Sequence, residues 1–242
     1  MDILASLILW NGVAIALIGV AAVCARQPVA WRWVFAAFSL FNVNVCLVLN
    51  VFGLNGLIYN LLGNPELSFN WAGKIIALMF SLTLLMTGIV RWHQIGGVFK
   101  QSKGAVMGWS VVGLLCVVGV GLALVLPDEP HSLETIAYQL TMPSLEEEIF
   151  YRGIFLYCLV RAFGEGPRIA ASNFGSAAII STLMFTIIHA LLWDEKGLFF
   201  QLDAFLFAGV FGVLLTWLRL NTGSLLAPIL MHSAVNTIWR LL

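Results

Sequence analysis

Charged residues punctuate this chain more than they pattern it. They gather between long apolar runs, and each run approaches the roughly 17 to 25 residues that a helix needs to cross a bilayer. Eight such runs follow from the spacing: Ile3 to Cys24, Val34 to Phe52, Trp71 to Val90, Val106 to Leu126, Leu145 to Phe163, Ile169 to Trp193, Leu198 to Leu218 and Gly223 to Trp239. A connection containing Gly, Asn and Pro, Gly53 to Asn70, separates the second from the third, and Pro127 to Pro130 breaks the chain after the fourth. His131 to Met142 reads as a short interfacial helix. Pro143 and Ser144 then read as the start of the fifth span, because proline suits a helix boundary and serine caps one. The expected fold class is all-α, a polytopic integral membrane bundle of about eight transmembrane helices with an intramembrane polar cavity. Residues 1–130 supply four scaffold spans and residues 131–242 four spans that carry the chemistry.

Composition narrows the class. Of 242 residues, 61% are hydrophobic and 10% charged, against about 25% charged in soluble domains, and mean hydropathy is +0.97. Twelve basic and twelve acidic residues leave no net charge, which argues against a nucleic acid as partner and leaves the lipid bilayer as the expected surroundings. Cys24, Cys46, Cys116 and Cys158 stand singly without metal-ligand spacing and read as small core residues. The first run follows Met1-Asp2 with no basic lead-in and reads as a retained span. Eight basic residues, from Arg26 and Arg32 through Lys103 and Arg168 to Arg219, fall in alternate connections, whereas the opposite side has Lys74, Lys196 and Arg240. The positive-inside rule then places both termini outside the cytoplasm of a cell membrane.

Charge within the runs is concentrated in Ser144-Leu-Glu-Glu-Glu-Ile-Phe-Tyr-Arg-Gly153. A charge at the centre of a spanning helix costs about 2.5 to 3.5 kcal/mol on the translocon scale, so this cluster needs partners or a function. Glu148 and Arg152 are four apart and can neutralise each other. Glu147 is turned about 100° away and has no such local partner, which makes it the candidate for chemistry. Glu146 reads as a solvated acid at the helix start, and Lys74 as a cation that snorkels at the end of its span. Asn42 and Asn44 read as interhelical hydrogen-bonding groups, and His93 and His131 as solvated loop residues. The orientation puts His189, near the end of the sixth run, and His232 with Asn236, in the eighth, at the same outer depth as the carboxylates. Amide hydrolysis needs an activated water, donors for an oxyanion and a proton for the leaving amine, and these residue types can supply them.

Glu147-Glu148-Ile-Phe-Tyr-Arg152 fits an EExxxR motif, Phe185-Thr-Ile-Ile-His189 an FxxxH motif and His232-Ser-Ala-Val-Asn236 an HxxxN motif. Together, over about Pro143 to Asn236, they resemble the CPBP (Abi) family of intramembrane endopeptidases related to the type II CAAX prenyl proteases. Counting back from Arg152 assigns the motif pair to Glu147 and Glu148, leaving Glu146 outside it. The resemblance implies peptide-bond hydrolysis in the cavity. Glu147 and His189 would activate water, His232 and Asn236 would stabilise the oxyanion, and Glu148, Arg152 and Phe185 would support them.

Three other readings stand beside this one. A zinc enzyme would use Glu147, His189 and His232 as ligands with an open fourth position. A non-enzymatic immunity or scaffold protein would bind a peptide or membrane protein in the same cavity. A proton-coupled transporter would use the buried charges as a relay. The predicted orientation opens the site to the extracytoplasmic side, so the expected substrate is a protein or peptide with an exported, C-terminal sorting or lipid-anchored segment.

Overall fold

The computed structural model describes residues 1–61, 63, 66–101, 104–126, 131–169 and 172–241. Helices α1 (Ile3–Val23), α2 (Trp31–Val48), α4 (Trp71–Met86) and α5 (Ala105–Val125) follow the first four apolar runs, with a short α3 (Asn55–Leu61) in the connection. The second helix ends before the expected Phe52. Asn50 takes the left-handed conformation at φ 56°, and its side chain accepts the backbone N–H of Asn55, so the chain turns there. The expected break at Pro127 to Pro130, Lys103 and the acids Asp128 and Glu129 lie outside the described residues.

The fifth span departs most from expectation. Instead of an interfacial helix followed by a new start, one continuous helix runs from α6 (Leu133–Glu147) through a π-helical segment (Glu148–Phe155) into α7 (Leu156–Phe163). Pro143 and Ser144 lie inside it. Proline costs a helix one N–H donor, yet hydroxyls serve the carbonyls of the preceding turn. Ser144 Oγ bonds the carbonyls of Leu140 and Thr141, and Ser233 Oγ bonds that of Leu140 from another helix.

The sixth run is shorter as a helix than expected, α8 (Ser176–Ala190), and a two-stranded hairpin flanks it on each side. Strands β1 (Arg168–Ile169) and β2 (Ser172–Asn173) pair before it, and β3 (Leu191–Asp194) and β4 (Gly197–Phe200) after it, both antiparallel. Gly197, at φ 105°, makes the tight turn of the second hairpin. α9 (Leu202–Thr222) and α10 (Leu226–Leu241) complete the bundle. Gly223, left-handed at φ 73°, donates its N–H to Arg219 O and closes α9.

By length and composition α1, α2, α5 and α9 can each cross a membrane, and α4 and α8 are shorter apolar helices. The chain is an all-α integral membrane protein. α1 and α5 turn Ile8, Ile15, Val117 and Leu124 outward, as lipid-facing helices do. The π-helical segment sits at the centre, buried along its whole length. Phe150, Tyr151 and Phe155 pack there with Trp10, Phe41 and Met184, drawn from α1, α2 and α8.

Contacts link the connections in pairs, each pair drawn from within one of the two alternate groups of the charge pattern. At one end Asp2 N–H reaches Trp193 O at 2.7 Å, and Trp71 Nε1 reaches Glu134 at 3.1 Å. At the other, Ala30 N–H reaches Ala162 O at 3.0 Å, and Arg219 Nε reaches Ile95 O at 2.9 Å.

Candidate active site

The central helix delivers its carboxylates in three directions. Glu148 faces Arg152, whose NH1 donates to Oε1 at 3.0 Å, and neither side chain is exposed. The same oxygen accepts His232 Nδ1–H from α10 at 2.8 Å. Arg152 also donates through NH2 to Gly212 O of α9 at 3.4 Å and lies 4.0 Å over the ring of Phe185. Phe185 therefore has a defined place: its ring stands 4.6 Å from the His189 ring and edge-on to His232 at 6.4 Å. Its ring lies between the buried cation and the His189 imidazole, while Arg152 and His232 meet through the shared Glu148 oxygen.

Glu146 is not the solvated acid that the sequence suggests. Only 1% of it is exposed; Asn44 of α2 donates to its Oε1 at 2.8 Å and Lys74 of α4 to its Oε2 at 2.7 Å. Lys74 also reaches Glu147 Oε1 at 2.6 Å, so this cation turns inward and bridges two acids. Glu147 Oε2 stands 3.9 Å from His232 Nε2. Of the two asparagines, Asn44 takes part in the site, while Asn42 exchanges reciprocal 2.8 Å amide bonds with Asn11 of α1. His93 is exposed as expected, and His131 is half-buried.

The imidazoles are oriented by their acceptors. His189 Nδ1 lies 2.7 Å from Phe185 O, a group that only accepts, so Nδ1 carries the hydrogen and Nε2 is left with a lone pair. His232 Nδ1 donates to a carboxylate in the same way, which frees its Nε2. Glu147, His189, His232 and Asn236 all line one cavity of about 230 Å³, between α4, α6, α8, α9 and α10. A second cavity of about 220 Å³ lies toward α1 and α2, lined by Trp10, Val45, Val48, Leu49 and Ile188. The two share Lys74, Glu147 and His189 as a common wall. Among the described residues no group of three or more His, Cys, Asp or Glu side chains is arranged to hold a metal ion.

Residues 129–238 match the family model described as type II CAAX prenyl endopeptidase Rce1-like. This Rce1-like stretch is just under half of the chain. The similarity accords with the three motifs. No curated protein and no solved structure matches the chain. The matched stretch contains all three motifs, whereas Lys74 and Asn44 come from helices outside it. Asn44 makes an interhelical hydrogen bond as its reading expected, but the inward Lys74 was missed because a lysine near the end of an apolar run looks the same whether it snorkels or turns inward. The available signal was an excess of acid: Arg152 can neutralise one of three consecutive glutamates, and the remaining two need a cation from elsewhere.

Proposed function

We propose that this protein is an intramembrane endopeptidase in which the Glu147 carboxylate activates a water molecule. The observation that carries the reading is the convergence of Glu147, His189, His232 and Asn236, from three helices distant in sequence, on the same cavity. Glu147 Oε1 is occupied by Lys74, so Oε2 takes the water proton as the hydroxide oxygen bonds to the scissile carbonyl carbon. His189 Nε2 orients that water as an acceptor. The oxyanion receives N–H donation from Asn236 and from His232, which must be imidazolium to donate at Nε2 because Glu148 already holds Nδ1–H. When the C–N bond breaks, the proton held by Glu147 passes to the leaving amine, and the carboxylate is regenerated.

The proposed chemistry uses no metal, and the zinc form of the site is the alternative. Lys74 supports the metal-free reading, because an ammonium group on Glu147 stands where a cation would otherwise bind. The family description points to substrates of the prenylated CAAX type. The charge bias of the connections points to a site open on the extracytoplasmic side, and so to an exported protein with a C-terminal sorting or lipid-anchored segment.

Comparing the membrane proteome of the wild type with that of a Glu147→Gln strain tests the function, because this change keeps the shape and removes the base. Protein termini present in the wild type and absent in the variant are expected. An unchanged set, with the variant expressed at normal level, would overturn the endopeptidase reading in favour of a binding role.

A further inference from the structure

We propose that Lys74 is a positioning residue for the water-activating carboxylate, supplied by a helix outside the matched stretch 129–238; the inference rests on the role proposed above for Glu147. Glu147 forms part of the wall between two cavities. Its flexible side chain could turn its free oxygen into either one, and only one holds His232 and Asn236. Among the described residues, the hydrogen bond that settles the choice comes from Lys74, whose Nζ lies 2.6 Å from Oε1. With Oε1 held, Oε2 is left on the His232 side, 3.9 Å from Nε2.

Lys74 is itself held. Its second bond, 2.7 Å to Glu146 Oε2, runs to a carboxylate whose other oxygen is fixed by Asn44. Asn44, Glu146, Lys74 and Glu147 form a chain of hydrogen bonds from α2 through α6 and α4 to the non-reacting oxygen of the catalytic carboxylate. Its geometry is set by helices and not by loops, as precise placement of a catalytic group requires. A simpler role for Lys74 is to neutralise buried Glu146. The two roles differ in what happens when both charges are removed together.

The test uses the full-length protein in detergent and the protein substrate whose terminus depends on Glu147 in the proteome comparison. Lys74→Met is expected to lower kcat by about 100-fold, the scale of a small misplacement, with KM within about twofold. Lys74→Arg, which keeps a cation and donors, should recover part of the loss. The deciding variant is Lys74→Met with Glu146→Gln, which restores the net charge of the cluster. Positioning predicts that kcat stays low although the unfolding temperature recovers. Recovery of both would reduce Lys74 to charge balance and overturn the proposal. Unfolding of Lys74→Met, Glu147→Gln and their double variant checks the contact without any catalytic readout. Coupled shifts are expected, and strictly additive ones would overturn the proposal even if no substrate were cleaved. Wild-type kcat in Lys74→Met with an inactive Glu147→Gln would refute this inference alone, whereas an active Glu147→Gln would refute the water-activating role of Glu147 on which it rests.

Discussion

Replacing Arg152 with Met keeps much of its volume and removes its charge, which leaves Glu148 buried. In the wild type neither side chain is exposed, and the pair meets at 3.0 Å. Breaking a buried pair by removing one partner costs about 3 to 5 kcal/mol. The guanidinium also covers the Phe185 ring at 4.0 Å, a desolvated contact that contributes about 2 kcal/mol. The single substitution should therefore destabilise by about 5 to 7 kcal/mol, comparable with the whole stability of many domains. Adding Glu148→Gln removes the orphaned charge while leaving an acceptor for His232 Nδ1–H, so the double variant should lose only about 2 kcal/mol. Denaturation in detergent micelles, followed by tryptophan fluorescence across the four members of the cycle, measures the coupling. A difference of about 3 to 5 kcal/mol between the single and double variants is expected. If the double variant were as unstable as the sum of the two singles, the claim that these side chains act as one neutral unit would be wrong.

Gly212→Ala should disturb the same unit from the opposite helix, since an added Cβ would stand 3.2 Å from Thr182 Cγ2 and 3.5 Å from Arg152 NH2. A loss of about 1 to 3 kcal/mol in the unfolding experiment is expected, with reduced peptide cleavage. Asn42→Leu should cost about 0.6 to 1.7 kcal/mol by breaking the reciprocal amide pair with Asn11. Replacing both asparagines with leucine should recover most of that loss, because no amide is then left unpaired. Dialysis against a strong chelator should leave cleavage unchanged; chelator-sensitive activity that zinc restores would favour the metal form of the site.

The spans whose ends coincide with a change from apolar to charged residues were legible in the sequence. Spacing within one helix was legible too, and the Glu148–Arg152 pair follows directly from it. Two local signals misled for identifiable reasons. Pro143 and Ser144 form a helix-start signature, but the helix runs on, with Ser144 and Ser233 bonding carbonyls of that turn from within and across the bundle, and a distant hydroxyl cannot be read from the local pattern. The run from Ile169 to Trp193 is apolar throughout much of its length, yet strands take both its flanks, because hydropathy does not distinguish a hairpin at the bundle end from a continuing helix. Partners such as Asn44 for Glu146 are separated by 102 residues, and one sequence does not encode such a pairing in any local spacing.

The inward-facing Lys74 also has a history during synthesis. Its partner Glu146 lies 72 residues later in the chain, which at about 5 to 20 residues per second takes the ribosome roughly 4 to 14 s. Throughout that interval α4 holds a positive charge with neither acid yet made. Lys74 lies in the first turn of α4, so a long side chain can meanwhile reach the headgroup region. The bonds from Lys74 to Glu146 and Glu147 can form only after that later segment has been made.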